Sequence, residues 1–238
     1  MALTDNLLVF YKVNGLPDDS SGNGHNLTIT GATYTDINDP VNDPALVGSH
    51  SLKGDGIDDK ATNSDSGLDG LSALTISCFC SRTSGTSNRQ IFAKGDPNLN
   101  TTFAYTFFAI SSKFYFIISK GSSSTNVPAL ANLTLGQKYH LLGTWNGATM
   151  EFYIDNVLQG SAAFAGPMVN LDDNAQPLSL FWGNPIGYMH GKIDAAGVWN
   201  RAVTASERGE LWNNGNGVEI SSQSSIPLKM FYYRQMGR

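Results

Sequence analysis

At 238 residues, 41% of them hydrophobic and 15% charged, the chain is long enough for one large domain or two small ones and can bury a core. A formal net charge of -5 and a pI near 5.2 offer no basic footprint for phosphate backbones, which excludes nucleic acid as an expected partner. No apolar run is long enough to span a bilayer, and "MALTDNLLVF" lacks the basic and apolar segments of a secretory signal, so a soluble chain made in the cytoplasm is expected.

From the N-terminus, strand-like runs recur: "LLVFYKV", "LTITGATY", "KATNS", "ALTISCFCS", "RQIFAKG", "TFAYTFFAI", "KFYFIISKG", "KYHLLGTWN", "TMEFYIDN", "VLQGSAAFA", "PLSLFWG" and "GKIDAAGVWN". Gly, Asn, Asp, Ser or Pro separates most of them, at the spacing of a β-sandwich. In "LTISCFC", alternation puts Ile76, Cys78 and Cys80 on the core face and Ser77 and Phe79 on the other. The two cysteines, side by side on one strand face, are expected as free buried thiols, which fits a reducing compartment. "SKGSSSTN" reads as a polar loop. Asp155-Asn156, between two alternating runs, predicts a two-residue hairpin of the primed type. "TASERGELWNNGNG" switches to helical periodicity, with Thr204 and Glu207 as a capping box and Gly215 as the stop. The sandwich domain is expected over 1–220. The basic, aromatic stretch within 221–238 is expected as a separate docking tail.

The segments "LLVFYKVNGLPDDSSGNGHNLTITGA", "SLKGDGIDDKATNS", "YHLLGTWNGATMEFYIDNVLQGS" and "GKIDAAGVWNRAVTASERGELWNNGNG", in that order, resemble the laminin-G-like domains of the concanavalin A-like superfamily. The resemblance implies an all-β fold: a two-sheet antiparallel jelly-roll sandwich with one short C-terminal surface helix. It also implies glycan or protein binding, often with calcium. Two positions depart from the family pattern: Phe79 stands where a Trp is common, and Ala195 where an acidic residue often follows the Asp of "GKID".

The loop "DDSSGNGHNLT" (18–28) poses the first chemical question. Asp19, Ser21, Asn23 and Gly24 have the opening spacing of an EF-hand, but Thr30 stands where the bidentate Glu belongs, and no helices flank it. A phosphate cradle lacks its third Gly, its Lys and its helix. Two readings stay open: an Asx-rich turn, or a structural calcium site. In the second, Asp19 and Asn23 supply oxygens, and the resemblance implies that Asp194 joins them. "KGDGIDDKA", with Asp55, Asp58 and Asp59, is a second acidic loop, read as a solvated turn in preference to a cation site.

Catalysis is not expected. Of the four Glu, only Glu151 lies outside the terminal helical region, and it has no acidic partner on its strand face. The four His sit in separate segments, and no nucleophile-elbow pattern occurs. For sugar recognition, an aromatic face plus short polar groups is needed. Phe79, Trp145, Asn146, Trp182 and Tyr188 are the candidate ligand-binding residues, with core packing as the alternative for each aromatic. Trp199 and Trp212 read as anchors for the last strand and helix. The expected function is a non-catalytic module that binds a glycan, a cell-surface polysaccharide or a partner surface. It would be displayed on an assembly such as a virus particle, with the tail docking on capsid or other virion proteins. A purely structural decoration protein and a degenerate glycanase are the alternatives.

Overall fold

The computed structural model describes residues 1–35, 43–64, 67–85, 88–95, 103–120, 123–165, 176–182 and 187–221. Its strands run, in chain order, β1 Leu7–Tyr11, β2 Thr28–Thr30, β3 Thr33–Tyr34, β4 Leu52–Asp55, β5 Lys60–Asn63, β6 Leu74–Arg82, β7 Arg89–Gly95 and β8 Phe103–Ile110. They continue with β9 Lys113–Lys120, β10 Ser123–Pro128, β11 Lys138–Trp145, β12 Thr149–Ile154, β13 Val157–Ala163, β14 Leu178–Leu180 and β15 His190–Trp199, before helix α1 Ala205–Trp212. An eight-stranded sheet has the order β13-β12-β11-β6-β15-β4-β3, with β1 also paired to β15, and a seven-stranded sheet has the order β10-β9-β8-β7-β14-β5-β2. All pairings are antiparallel, and the two sheets face each other across one apolar core, the expected jelly-roll sandwich.

Alternation decides which side chains enter that core. Ile76, Cys78 and Cys80 point into it, as do Phe107, Phe116 and Phe152, whose rings meet at centroid distances of 5.8 to 6.4 Å. Both cysteines are free and buried. Gly143 makes room for this cluster, since a Cβ there would lie 2.6 Å from a ring carbon of Phe116.

A second apolar layer lies on the outer side of the eight-stranded sheet. Phe10, Phe79, Leu142, Tyr153 and Trp199 leave the sheet on that side, and Leu3, Leu46, Val47, Val203, Leu211 and Ile220 close over them. The N-terminal segment, the 46–47 loop, α1 and the stretch after it therefore cover this face of the sheet.

Asp155 and Asn156 both have positive φ (50° and 63°), the primed hairpin turn predicted from their identity. The capping box at Thr204 and Glu207 is present. Three details differ from expectation. "LTITGATY" is not one strand: Gly31, at φ +76° with the Asp59 carboxylate packed where its Cβ would be, turns the chain from β2 in one sheet to β3 in the other. "SKGSSSTN" is not a loop, because its second half opens β10, which pairs along β9. The helix stops earlier than Gly215, at Asn213, which takes the left-handed conformation at φ 46°. The docking tail expected at 221–238 lies, after Ser221, outside the described residues. No helix among the described residues is long and apolar enough to cross a membrane.

Candidate functional site

The outer face of the seven-stranded sheet is set by the same alternation that fills the core. Its register aligns Thr28, Thr62, Ser179, Ala93, Thr106, Ile117 and Asn126 directly across all seven strands. Six intervals at the usual strand spacing make this row about 29 Å long. Every member is small or uncharged, and Ala93, Thr106 and Ser179 at its centre are buried although none belongs to either apolar cluster. The three central positions are covered, while Thr28 and Asn126 at the two ends of the row are exposed and Thr62 and Ile117 are half-buried. Gln90 donates to the Ser179 hydroxyl (3.1 Å) from the neighbouring row. In that row Gln90 pairs with Phe108, and Phe108 with Tyr115, two half-buried rings side by side outside the core. Lys60 belongs to the same side of β5 and holds its ammonium 5.1 Å from the centre of the half-buried Trp182 ring. The polar groups that reach solvent at the ends of the row, Thr28, Thr62 and Asn126, together with the half-buried rings of Phe108, Tyr115 and Trp182, supply the two kinds of contact a sugar needs.

At one end of this sheet stands the loop 18–28. Asp19 is nearly buried, and its carboxylate organises the loop. Oδ1 accepts from the N–H groups of Phe10 and Ser21 (3.0 and 2.8 Å), and Oδ2 from the Ser21 hydroxyl and the His25 N–H (2.8 and 3.1 Å). Asn23 donates through Nδ2 to the carbonyls of Leu7 and Leu8 (3.0 and 2.8 Å). Asp194 is 1% exposed and accepts from Val47 N–H, the Ser51 hydroxyl and Ala195 N–H at 2.7 to 2.8 Å, which fastens the 46–51 loop to β15. β1 pairs with β15 along one edge and meets Asp19 along the other, so a strand stands between the two carboxylates and they share no partner. A calcium ion needs six or more oxygens around one centre. Both oxygens of Asp19 are occupied by donors, Asn23 turns its amide nitrogen inward, and Asp194 is directed at a different loop. The residues present do not fit a shared cation.

In the acidic loop, the carboxylates of Asp55, Asp58 and Asp59 come within 4.8 Å of one another. Asp59 accepts from Asp55 N–H (2.8 Å) and Asp55 from Ile57 N–H (2.7 Å), the bonds of a self-capped turn. Burial, and then the charges of Asp55 and Asp58, push the Asp59 carboxyl above the usual range.

A family model, described as the concanavalin A-like lectin/glucanases superfamily and named for a laminin G domain, matches residues 55–207. The chain belongs to this family. No sequence match to an individual characterised protein was found for the laminin-G-like chain. Among solved structures, it is similar to the binding domain of Paraclostridial Mosquitocidal Protein 1 (TM-score 0.69, 15% identity, 89% of this chain and 53% of that one). It is also similar to domain 4 of AbnA, a GH43 extracellular arabinanase from Geobacillus stearothermophilus, determined with arabinotriose (TM-score 0.66, 18% identity, 85% of this chain and 96% of that one). A third is the binding domain of botulinum neurotoxin DC in complex with SialylT (TM-score 0.64, 12% identity, 90% and 52%). The laminin-G-like chain thus spans about half the length of the toxin binding domains and nearly all of the arabinanase domain. At these identities the likeness is one of fold.

The structure separates the expected ligand-binding residues. Phe79 does leave the core face, but it is 2% exposed, stacked on His140 at 4.6 Å beneath the second apolar layer, so its ring has no open face to offer. Trp145 is fully buried and donates from Nε1 to the Phe164 carbonyl (2.6 Å), a core residue. Asn146 is exposed, yet its side chain accepts from Ala148 and Thr149 N–H (3.0 and 2.9 Å) to close the β11–β12 turn. Trp182 and Tyr188 are half-buried; most of the turn between them is outside the described residues. Trp199 is fully buried and fixes the N-terminus through a bond from Nε1 to the Leu3 carbonyl (2.6 Å). Phe108 and Tyr115 were missed as candidates. The signal for them is the alternation of "FAYTFFAI" and "KFYFIIS", which sends Phe107, Phe114 and Phe116 inward and these two outward.

Proposed function

We propose that this laminin-G-like domain is a non-catalytic carbohydrate-binding module, and that its sugar lies along the outer face of the seven-stranded sheet. The observation that carries this reading is the uncharged row from Thr28 to Asn126 flanked by Phe108, Tyr115 and Trp182. None of the seven strands contains an Asp or Glu, so the pair of carboxylates that glycoside hydrolysis requires has no place on their side chains. The arabinanase domain of the same fold, determined with arabinotriose, supports a sugar as the ligand class, and the toxin binding domains support recognition at a cell surface.

A glycan array with the purified chain tests the reading, and silence across neutral and acidic polysaccharides would end it. For a glycan that binds, Trp182→Ala is expected to weaken affinity at least tenfold, about 1.4 kcal/mol. Because the ring is partly buried under Lys60, the melting temperature is read beside the affinity, and Trp182→Phe, which keeps an aromatic face, is expected to retain most of the binding; an unchanged affinity in Trp182→Ala would remove Trp182 from the site. Display on a larger assembly such as a virus particle belongs to the same proposal and is supported by the basic, aromatic composition of the tail. Removing residues 221–238 is then expected to abolish incorporation into the particle and leave sugar binding intact. Retained incorporation would separate the domain from that setting.

A further inference from the structure

We propose that the loop 18–28, for which the sequence left an Asx-rich turn and a calcium site open, forms a cation-independent pocket for a single neutral sugar residue, recognised through a pair of neighbouring hydroxyls. The inference rests on the carbohydrate reading above and adds a second subsite to it. Asn23, Gly24, His25, Asn26, Asn63 and Ser64 line a polar cavity of about 350 Å³. None of these described lining residues carries a carboxylate or a permanent charge, so what they offer suits neither a hard cation nor an anion.

What the cavity offers is a fixed pattern of neutral donors and acceptors. Asn23 directs Nδ2 at the carbonyls of Leu7 and Leu8. Two carbonyls demand a donor, which settles the orientation of the amide and leaves Oδ1, on a residue that lines the cavity, as an acceptor. Asn26 is held the opposite way: its Oδ1 accepts from Asp19 N–H (2.8 Å), which leaves Nδ2 as a donor. The Ser64 hydroxyl serves either role and makes no hydrogen bond to the described residues. Behind them, the Tyr11 hydroxyl donates to the His25 carbonyl (2.7 Å) and accepts from Asn63 Nδ2 (3.3 Å), so the wall is rigid. Each amide uses one end to lock its rotamer and presents the other. A ligand that donates to Asn23 Oδ1 and accepts from Asn26 Nδ2 needs adjacent groups able to do both, the property of a vicinal diol. Asp19 is the anchor of this arrangement, because its N–H and both carboxylate oxygens tie the loop together.

The test is titration of the full chain with L-arabinose, D-galactose, D-glucose and D-mannose in turn, followed by the side-chain amide resonances of Asn23 and Asn26. At least one sugar is expected to move them saturably, equally in calcium and in chelator. Asn26→Asp keeps an acceptor for Asp19 N–H and exchanges the donor for a carboxylate oxygen. It is expected to weaken that sugar at least tenfold, roughly the loss of one hydrogen bond plus an unmatched acceptor. Ser64→Ala, at an exposed position, provides a second variant whose folding is not at issue, and a several-fold loss is expected. Shifts that require calcium, or binding indifferent to both variants, would overturn the pocket. A sugar that moves only resonances around Phe108, Tyr115 and Trp182 would leave the proposed function standing and remove this subsite. If no sugar moves either set and the glycan array is silent, both readings fail.

Discussion

Replacing Arg201 by alanine is expected to destabilise the domain by about 3–5 kcal/mol, the range for breaking one partner out of a buried ion pair. For a chain of this size that corresponds to a fall of roughly 6–20 °C in melting temperature. Arg201 and Glu207 are 7% and 4% exposed and meet in a bidentate contact, both bonds 2.8 Å. The same guanidinium donates from Nε to the Asp5 carbonyl (2.8 Å) and from Nη2 to the Ala2 carbonyl (3.0 Å), so it ties α1 to the N-terminal segment. Burial alone would raise the Glu207 carboxyl, but Arg201 and the Thr204 cap outweigh it and hold it at about 2. Alanine at 201 leaves that carboxylate buried without its counter-charge, held only by the Thr204 N–H and hydroxyl, and leaves two carbonyls without their donor. Removing Glu207 as well takes the stranded charge away, so the double variant should lose less than the sum of the two single ones. Chemical unfolding of the three variants decides it. A loss below about 1 kcal/mol for Arg201→Ala, or strict additivity in the double, would show that the pair does not clamp the helix.

The clamp also shows where reading the sequence succeeds. Period-two alternation in β6, the Asp155-Asn156 turn and the Thr204–Glu207 box are local signals, and each is present as expected. The site was less legible because burial is a property of the whole assembly. Alternation in β6 correctly turned Phe79 away from the core, but nothing local told that α1, the 46–47 loop and Ile220 would cover it. The same holds for Asp19. Its spacing to Ser21 and Asn23 suits a cation loop, and only the position of β1 between it and Asp194 shows that the two carboxylates serve separate loops. Phe108 and Tyr115 were hidden for the opposite reason: in strands so rich in aromatics, the inward rings mask the outward pair until the register aligns them with Gln90.

Between about pH 4 and 6.5 the stability of the parent protein is expected to stay nearly flat, because two buried groups on one cross-strand row oppose each other. Asp194 and His140 both pair with Phe79, one on each side. Burial first, and then the charge of Glu219, push Asp194 up to about 7 against the three hydrogen bonds that favour its ionised form. The folded state then keeps a proton that the unfolded chain has lost above about 4, so this group makes stability fall as pH rises through that window. His140 acts in the opposite direction. Burial, and then the charge of Lys138, hold it at about 3, and it lies neutral against Phe79 with Nε2 on the Ser77 hydroxyl (2.8 Å). Here the unfolded chain binds a proton that the folded one does not, so stability rises with pH until about 6.5. Each shift is roughly three pH units, an upper bound of about 4–5 kcal/mol per group and close to cancelling. Glu207 lies outside the window, since its contribution is lost only as pH falls from about 4.5 toward 2. Asp59 and Asp155, also raised by burial, add to the falling side. Single substitutions should therefore expose what the parent conceals. Asp194→Asn is expected to give a stability that climbs with pH, His140→Gln one that declines toward pH 7, and the double variant a profile close to the parent's, with the shallow decline that Asp59 and Asp155 contribute to both. The slope is the readout, so a uniform loss from imperfect packing does not obscure it. If Asp194→Asn is as flat as the parent, Asp194 is ionised in the folded state, its three hydrogen bonds having outweighed burial. The layer beneath α1 would then carry a charge that its apolar surroundings otherwise argue against.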